Sequence, residues 1–233
     1  MKKPSLEHTR FKFAVHVTLG FVGLLWFIKA VELATQANYA FLGVLPRTLR
    51  GSIGIVTAPL IHGDLIHLMS NTIPLVMLGF ILFYFYSKFA IEVFIWIYLI
   101  SGFWTWLIAR NSYHIGASGV VYGMAAFLFF SGIFRRNRPL MTISAVILFL
   151  YGGFLYGIFP GMVESDVSWE SHFTGALAGT LLAFLFRKAD TGMEDKKIPF
   201  DDSDDESAYF SSPDATDNIE ATYTFKETRG SDT

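Results

Sequence analysis

The octet Gly116-Ala117-Ser118-Gly119-Val120-Val121-Tyr122-Gly123 puts a hydroxyl and three glycines at the head of an uncharged apolar run reaching about residue 134. About 20 such residues are what a helix needs to cross the ~30 Å hydrocarbon layer of a bilayer. Small residues four apart, here Gly119 and Gly123, let two helix backbones approach closely in lipid. The stretch therefore predicts a membrane helix whose packing face starts with a serine.

Five more apolar runs flank it, at roughly 12–34, 63–87, 89–109, 139–159 and 168–187. With 115–134 they predict an all-α polytopic membrane protein of six spans. Composition agrees: 52% of the 233 residues are hydrophobic, 16% are charged and 24 are Phe. A soluble domain of this size needs far more polar surface. With no cysteine, disulfide and thiolate chemistry are excluded. The first run follows Lys2, Lys3, Arg10 and Lys12 but has no small-residue cleavage site, so it reads as a retained span.

Basic residues set the expected orientation. They lie before span 1, at Lys88 between spans 2 and 3, at Arg135, Arg136 and Arg138 between spans 4 and 5, and at Arg187 and Lys188 after span 6. The positive-inside rule puts all of these in the cytoplasm, and with them both termini, in a cell membrane. Residues 1–11 are then a cytoplasmic segment and 12–188 the membrane body. The long loop 35–62 is too broken to span and reads as interfacial. Residues 1–188 carry net +7, and 189–233 carry net −9, with Asp201, Asp202, Asp204, Asp205 and Glu206 in one run. That acidic tail has too few apolar residues to offset its ordering entropy and is expected to be disordered.

Spans 2, 4 and 6 run in the same direction, so their N-termini share the outer face. Each carries polar residues just inside that end: His62, His67 and Asn71 in span 2, Ser118 in span 4, His172 in span 6. At ~1.5 Å per residue, Ser118, His67 and His172 are expected on the order of 5 Å below their helix starts. Gly175 and Gly179 form a second small-residue stripe on the face that His172 shares. Packing span 6 on span 4 at these glycines would bring His172 to Ser118.

That pairing has a chemistry. A serine hydroxyl becomes a useful nucleophile when an adjacent base takes its proton. A neutral imidazole suits the task, contributing roughly 10²–10⁴ in rate. The oxyanion formed on attack needs preorganised donors; His67 and Asn71, four apart on one helical face, and the Ser118 amide can supply them. Glu170 lies two residues from His172 and points to the opposite face, and Asp64 sits at the rim. A Ser-His dyad is expected rather than a triad.

These motifs resemble the rhomboid family of intramembrane serine proteases. The H-x4-H-x3-N pattern falls on His62, His67 and Asn71. The G-x-S-G-x-x-Y-G pattern falls on Gly116, Ser118, Gly119, Tyr122 and Gly123, and the H-x2-G-x3-G pattern on His172, Gly175 and Gly179. The resemblance covers roughly residues 10–188. It implies a six-helix rhomboid-like bundle with Ser118 as nucleophile and His172 as general base. It also implies an oxyanion hole of His67, Asn71 and the Ser118 amide, and Tyr122 packed beneath His172. The implied substrates are single-span membrane proteins with small residues near the cut. No cofactor, metal or nucleic acid is expected. The first loop reads Pro46-Arg47-Thr48-Leu49-Arg50-Gly51 and lacks the Trp-Arg pair many members carry there.

Two other classes compete. A non-catalytic binder of client helices on the same fold would usually have lost the serine or histidine, and both are present. A transporter or metal protein built on His62, His67, His114 and His172 would want intramembrane carboxylates or denser ligand spacing.

Overall fold

A computed structural model describes residues 5–164 and 167–192. The expectation of a disordered tail was made for 189–233; residues 193–233 lie outside the described residues, and 189–192 are described and hold contacts with Lys88, Arg10 and Arg135. Six long helices run through the described residues: α1 (Leu6–Thr35), α2 (Leu65–Phe85), α3 (Ala90–Ile108), α4 (Ser118–Arg135), α5 (Arg138–Tyr151) and α6 (Trp169–Leu185). Among the described residues there are no strands, only one isolated bridge between Val44 and His114.

Local chemistry sets several boundaries. The side chains of Ser5, Asp64, Asn137 and Ser168 accept backbone N–H groups and cap α1, α2, α5 and α6, satisfying donors that a helix start leaves open. α1 begins at Leu6, ahead of residue 12. α4 begins at Ser118 rather than 115, because Gly116 sits at φ +105°, a left-handed conformation that cannot continue a helix. Ser118 is therefore at the very end of its helix and not a turn below it. The fifth run also differs from expectation. It is helical to Tyr151, then tightens into a 3-10 segment, Gly152–Ile158, where the Gly152-Gly153 pair favours the break.

α4 is the central helix. It packs most extensively on α6, then on α5, α3 and α2, while α1 lies against α2. Leu75, Leu78, Ile97, Met124, Phe127 and Leu182 fill the space between them. The outward faces are apolar too: Phe149 is 88% exposed and Ile66 82%. Such side chains on so many faces suit lipid and not water. Five segments, α1 to α4 and residues 138–158, are long and apolar enough to cross a membrane. α6 has 17 residues, about 25 Å of helix.

The first loop is built of short helical turns, Ala40–Leu42, Arg50–Ile53, Gly54–Thr57 and Ala58–Leu60. It packs on α3 without a Trp-Arg pair. Arg47 Nη1 donates to the carbonyls of Leu107 (3.3 Å) and Ala109 (2.8 Å), and its amide donates to Trp106 O. Trp106 Nε1 returns a bond to Thr48 O at 2.9 Å, and the Tyr98 hydroxyl donates to Val56 O. A cation on the last carbonyls of a helix is favourable. At the other end of the bundle Lys88 pairs with Asp190, Arg10 donates to Gly192 O, and Arg135 donates to the carbonyls of Phe186 and Ala189. Three residues expected on one membrane side thus meet at one end of the fold.

Candidate active site

The expected packing of the two glycine stripes is present. A Cβ on Gly175 would collide with the Gly119 carbonyl, one on Gly179 with the Gly123 carbonyl, and one on Gly123 would stand 3.1 Å from Gly175 O. The backbones interlock along this line. At its upper end a Cβ on Gly119 would meet Ser171 Oγ at 2.8 Å and Ser171 O at 3.1 Å. The neighbours of Ser118 and His172 are therefore in contact, and both residues sit at the same end of the α4–α6 pair. Among the described residues Ser118 Oγ has no hydrogen-bond partner, so the pair is not closed by a hydrogen bond here.

His172 is buried and strongly oriented. Its Nδ1 lies 3.0 Å from Gly157 O. A carbonyl only accepts, so Nδ1 carries the proton. Tyr122 stacks on the ring, with centroids 4.2 Å apart and planes 6° from parallel, and Phe154 in turn stacks on Tyr122. Gly157 was not anticipated. The 3-10 segment delivers its carbonyl to His172, and a Cβ there would strike the Tyr122 hydroxyl. The Gly152-Gly153 doublet was the available signal.

The α2 residues meet the same spot. His67 lies against Gly116, where a Cβ would come within 2.6 Å of Nε2. Gly116 thus needs to be glycine twice over, for its φ and for this approach. Asn71 is buried one turn deeper, its amide 3.0 Å from His67 O. His62 precedes α2 and contacts His67 ring to ring at 5.1 Å. The Ala117 N–H donates to His62 Nε2 at 3.4 Å, so the proton of that ring sits on Nδ1. Burial, helped by His67 and Lys29 and opposed by the Leu60 carbonyl and Glu32, lowers the His62 pKa to about 4. Asp64, exposed, caps α2 by accepting the His67 N–H at 2.7 Å, which holds its carboxyl below the usual range.

A polar clasp fixes the head of α6. Glu170, buried, accepts from the Arg110 amide and pairs with its guanidinium, both at 3.3 Å, and Arg110 Nη2 donates to Val167 O at 2.9 Å. The Glu170 carboxylate is thus engaged by Arg110. His114 Nε2 donates to Arg110 O (3.0 Å), leaving Nδ1 to accept from Ser168 Oγ at 2.6 Å. Burial keeps the His114 imidazole below its ordinary range. His114 also exchanges both backbone bonds with Val44, and Gly116 N–H donates to Ala58 O. The segment leading into Ser118 is thereby tied to the first loop and to α6. None of these partners shares a motif, and their separation in sequence hid them.

The comparisons with known proteins point one way. A family profile described as "Rhomboid domain" matches residues 50–189. An uncharacterized protein of Mycobacterium tuberculosis (H37Rv) is 36% identical over 178 residues, covering 72% of either chain. One of Mycobacterium leprae is 35% identical over 180 residues, covering 72% of this chain and 69% of its own. A protein of Acanthamoeba polyphaga mimivirus, named as a rhomboid protein, is 32% identical over 130 residues, 54% of this chain and 70% of its own.

Proposed function

The chain belongs to the rhomboid family, whose members are generally intramembrane serine proteases, and on that premise we propose that it is an endopeptidase cutting transmembrane substrates with a Ser118–His172 dyad. Ser118 Oγ attacks the scissile carbonyl carbon while His172 Nε2 takes its proton. The tetrahedral oxyanion is held by the Ser118 amide, His67 and Asn71. Collapse breaks the C–N bond, and the departing amine takes the proton from His172. Water, deprotonated by the same nitrogen, then hydrolyses the acyl-enzyme and restores Ser118.

The observation that carries this reading is the bookkeeping of histidine lone pairs. His114 spends both ring nitrogens on Arg110 O and Ser168. His62 spends Nε2 on the Ala117 amide. His172 spends Nδ1 on Gly157 O as a donor, so its Nε2 keeps a lone pair, at the same end of the α4–α6 pair as Ser118. It is the one of the three equipped to act as a base there. The topology that goes with this reading has α6 as a sixth span, both termini in the cytoplasm of a plasma membrane, and cleavage near the outer face. Its substrates are single-span proteins whose helices unwind at small residues. The domain division is 1–11, 12–188 and an acidic segment, 189–233.

The test is cleavage of a single-span substrate in vesicles by the wild type, Ser118→Ala and His172→Ala. Both variants are expected to lose cleavage by 10³-fold or more, the scale seen on removing members of such catalytic groups. Wild-type rates from both would overturn the dyad. Substrate binding without cutting by the wild type would favour a client-helix binder on the same fold.

A further inference from the structure

α1 lies wholly before the region matched by the family profile, yet it carries two buried charges, Lys29 and Glu32. Nζ of Lys29 donates to Glu32 Oε2 (2.7 Å), His62 O (2.9 Å) and Gly63 O (3.0 Å), which uses all three ammonium protons. Glu32 Oε1 accepts the Tyr39 N–H at 3.1 Å. The end of α1 is thus bonded both to the head of the first loop and to the two residues that lead into the Asp64 cap of α2.

The chain of contacts does not stop there. His62, whose backbone Lys29 holds, accepts the Ala117 N–H, one residue before Ser118. Gly63, the other carbonyl that Lys29 holds, is followed by the Asp64 cap on the His67 amide. A single ammonium therefore fixes the approach to both α2 and the start of α4. A buried ion pair is a weak source of stability, because desolvation offsets its attraction, and an apolar pair of like volume often does as well. Ionisable groups within a membrane body more often serve function. What Lys29 supplies, and an apolar residue cannot, is three directed bonds on two loop carbonyls and a carboxylate.

We propose that the Lys29–Glu32 pair is a positioning element for the peptidase site, anchoring the His62–Gly63 segment so that His62 holds the Ala117 amide and keeps Ser118 in register with His172. This rests on the assignment of Ser118 as nucleophile. Lys29 touches no reacting atom in this scheme and acts through His62.

The full chain in vesicles tests it. Lys29→Met is expected to lower kcat tenfold or more with KM within twofold of wild type. Lys29→Arg, which keeps the charge and several donors, is expected to recover part of that loss. Lys29→Met leaves Glu32 buried and unpaired, so Lys29→Met/Glu32→Gln guards against a folding defect and should show the same fall in kcat. Amide hydrogen exchange over 114–118 should speed up in Lys29→Met, while exchange in the middle of α4 stays unchanged. Wild-type kcat in the folded variants, or a loss fully explained by a lower folded fraction, would overturn the proposal. Exchange is read whether or not the protein cuts the substrate. A wrong assignment of Ser118 would therefore show as wild-type cleavage by Ser118→Ala, and a protein that is no peptidase as an inert wild type, in either case with the exchange link intact, whereas unchanged exchange in Lys29→Met would overturn the link itself.

Discussion

Gly175→Ala adds one methyl group at the place where α6 and α4 are closest, and the structure gives its consequence a size. The new carbon would overlap the Gly119 carbonyl oxygen, and would also stand 2.8 Å from its carbon and 3.1 Å from Gly119 Cα. All three are backbone atoms, so no rotamer change relieves the overlap. The helices must part by on the order of 1 Å, and overpacking of this sort costs about 1–3 kcal/mol. Against a total stability of about 5–15 kcal/mol that cost leaves nearly every molecule folded. Catalysis is less forgiving. His172 is three residues from the point of separation, and a misplacement of about 1 Å costs roughly 10²-fold in rate. The expected result is a hundredfold loss of kcat for single-span substrate cleavage in vesicles, with a thermal midpoint only a few degrees lower. Gly20→Ala is the control, since a Cβ there meets nothing within 4 Å, and it should cut at the wild-type rate. A folded Gly175→Ala protein with wild-type kcat would refute the claim that backbone contact between α4 and α6 sets the dyad.

Two further outcomes follow from the same site. The His62 pKa lies near 4 in the folded protein against 6.5 as the ordinary value, with burial as the main cause. The unfolded chain therefore takes up a proton below pH 6.5 that the folded chain refuses until about pH 4. The stabilising contribution is whole above pH 6.5 and is lost by about 3 kcal/mol as pH falls to 4; the midpoint of His62→Gln, which still offers the Ala117 N–H an acceptor, should fall less over that window. Tyr122→Phe keeps the ring stacked on His172 and should retain most activity, whereas Tyr122→Leu loses an aromatic contact of about 0.5–1.5 kcal/mol, roughly two- to tenfold in kcat; equal rates for the two variants would remove Tyr122 from the orientation of His172.

What could be read from the sequence was whatever repeats at helical spacing. Gly119/Gly123 and Gly175/Gly179 declared a packing face, and the structure seats those four residues against one another. The gathering of His67, Ser118 and His172 at one end of the bundle followed from span direction alone. Where the backbone leaves the helix, periodicity has nothing to say. Residues 139–159 looked like one uniform apolar span, yet the chain tightens at Gly152 and so brings Gly157 O to His172. The start of α4 was misjudged by three residues because Ile115-Gly116-Ala117 is as apolar as the helix it precedes, and only the left-handed Gly116 separates them. The anchors Lys29–His62, Arg110–Glu170 and Arg47–Ala109 join residues 33 to 62 positions apart. Such pairs carry no local pattern. Arg47 shows the point well, since it secures the first loop without the Trp-Arg pair that many family members carry there.

The three helices that converge on the site differ in how their N-termini are closed. α2 is capped by the Asp64 carboxylate and α6 by the Ser168 hydroxyl, whereas Ala117 at the start of α4 has no side chain able to cap. Leaving out a cap costs about 0.5–2 kcal/mol, so an uncapped helix start in the middle of a packed bundle asks for a reason. His62 takes the Ala117 N–H, which leaves the Ser118 N–H, first of the helix, as a donor that no carbonyl of its own helix can reach. A serine or aspartate at 117 would stabilise α4 by occupying the amides of its first turn. Alanine leaves them without a side-chain cap, with the partial positive charge of the helix end at Ser118. That is where an oxyanion would form if Ser118 attacks a carbonyl, and the missing cap is the physical argument for assigning the nucleophile and its stabilising amide to one residue.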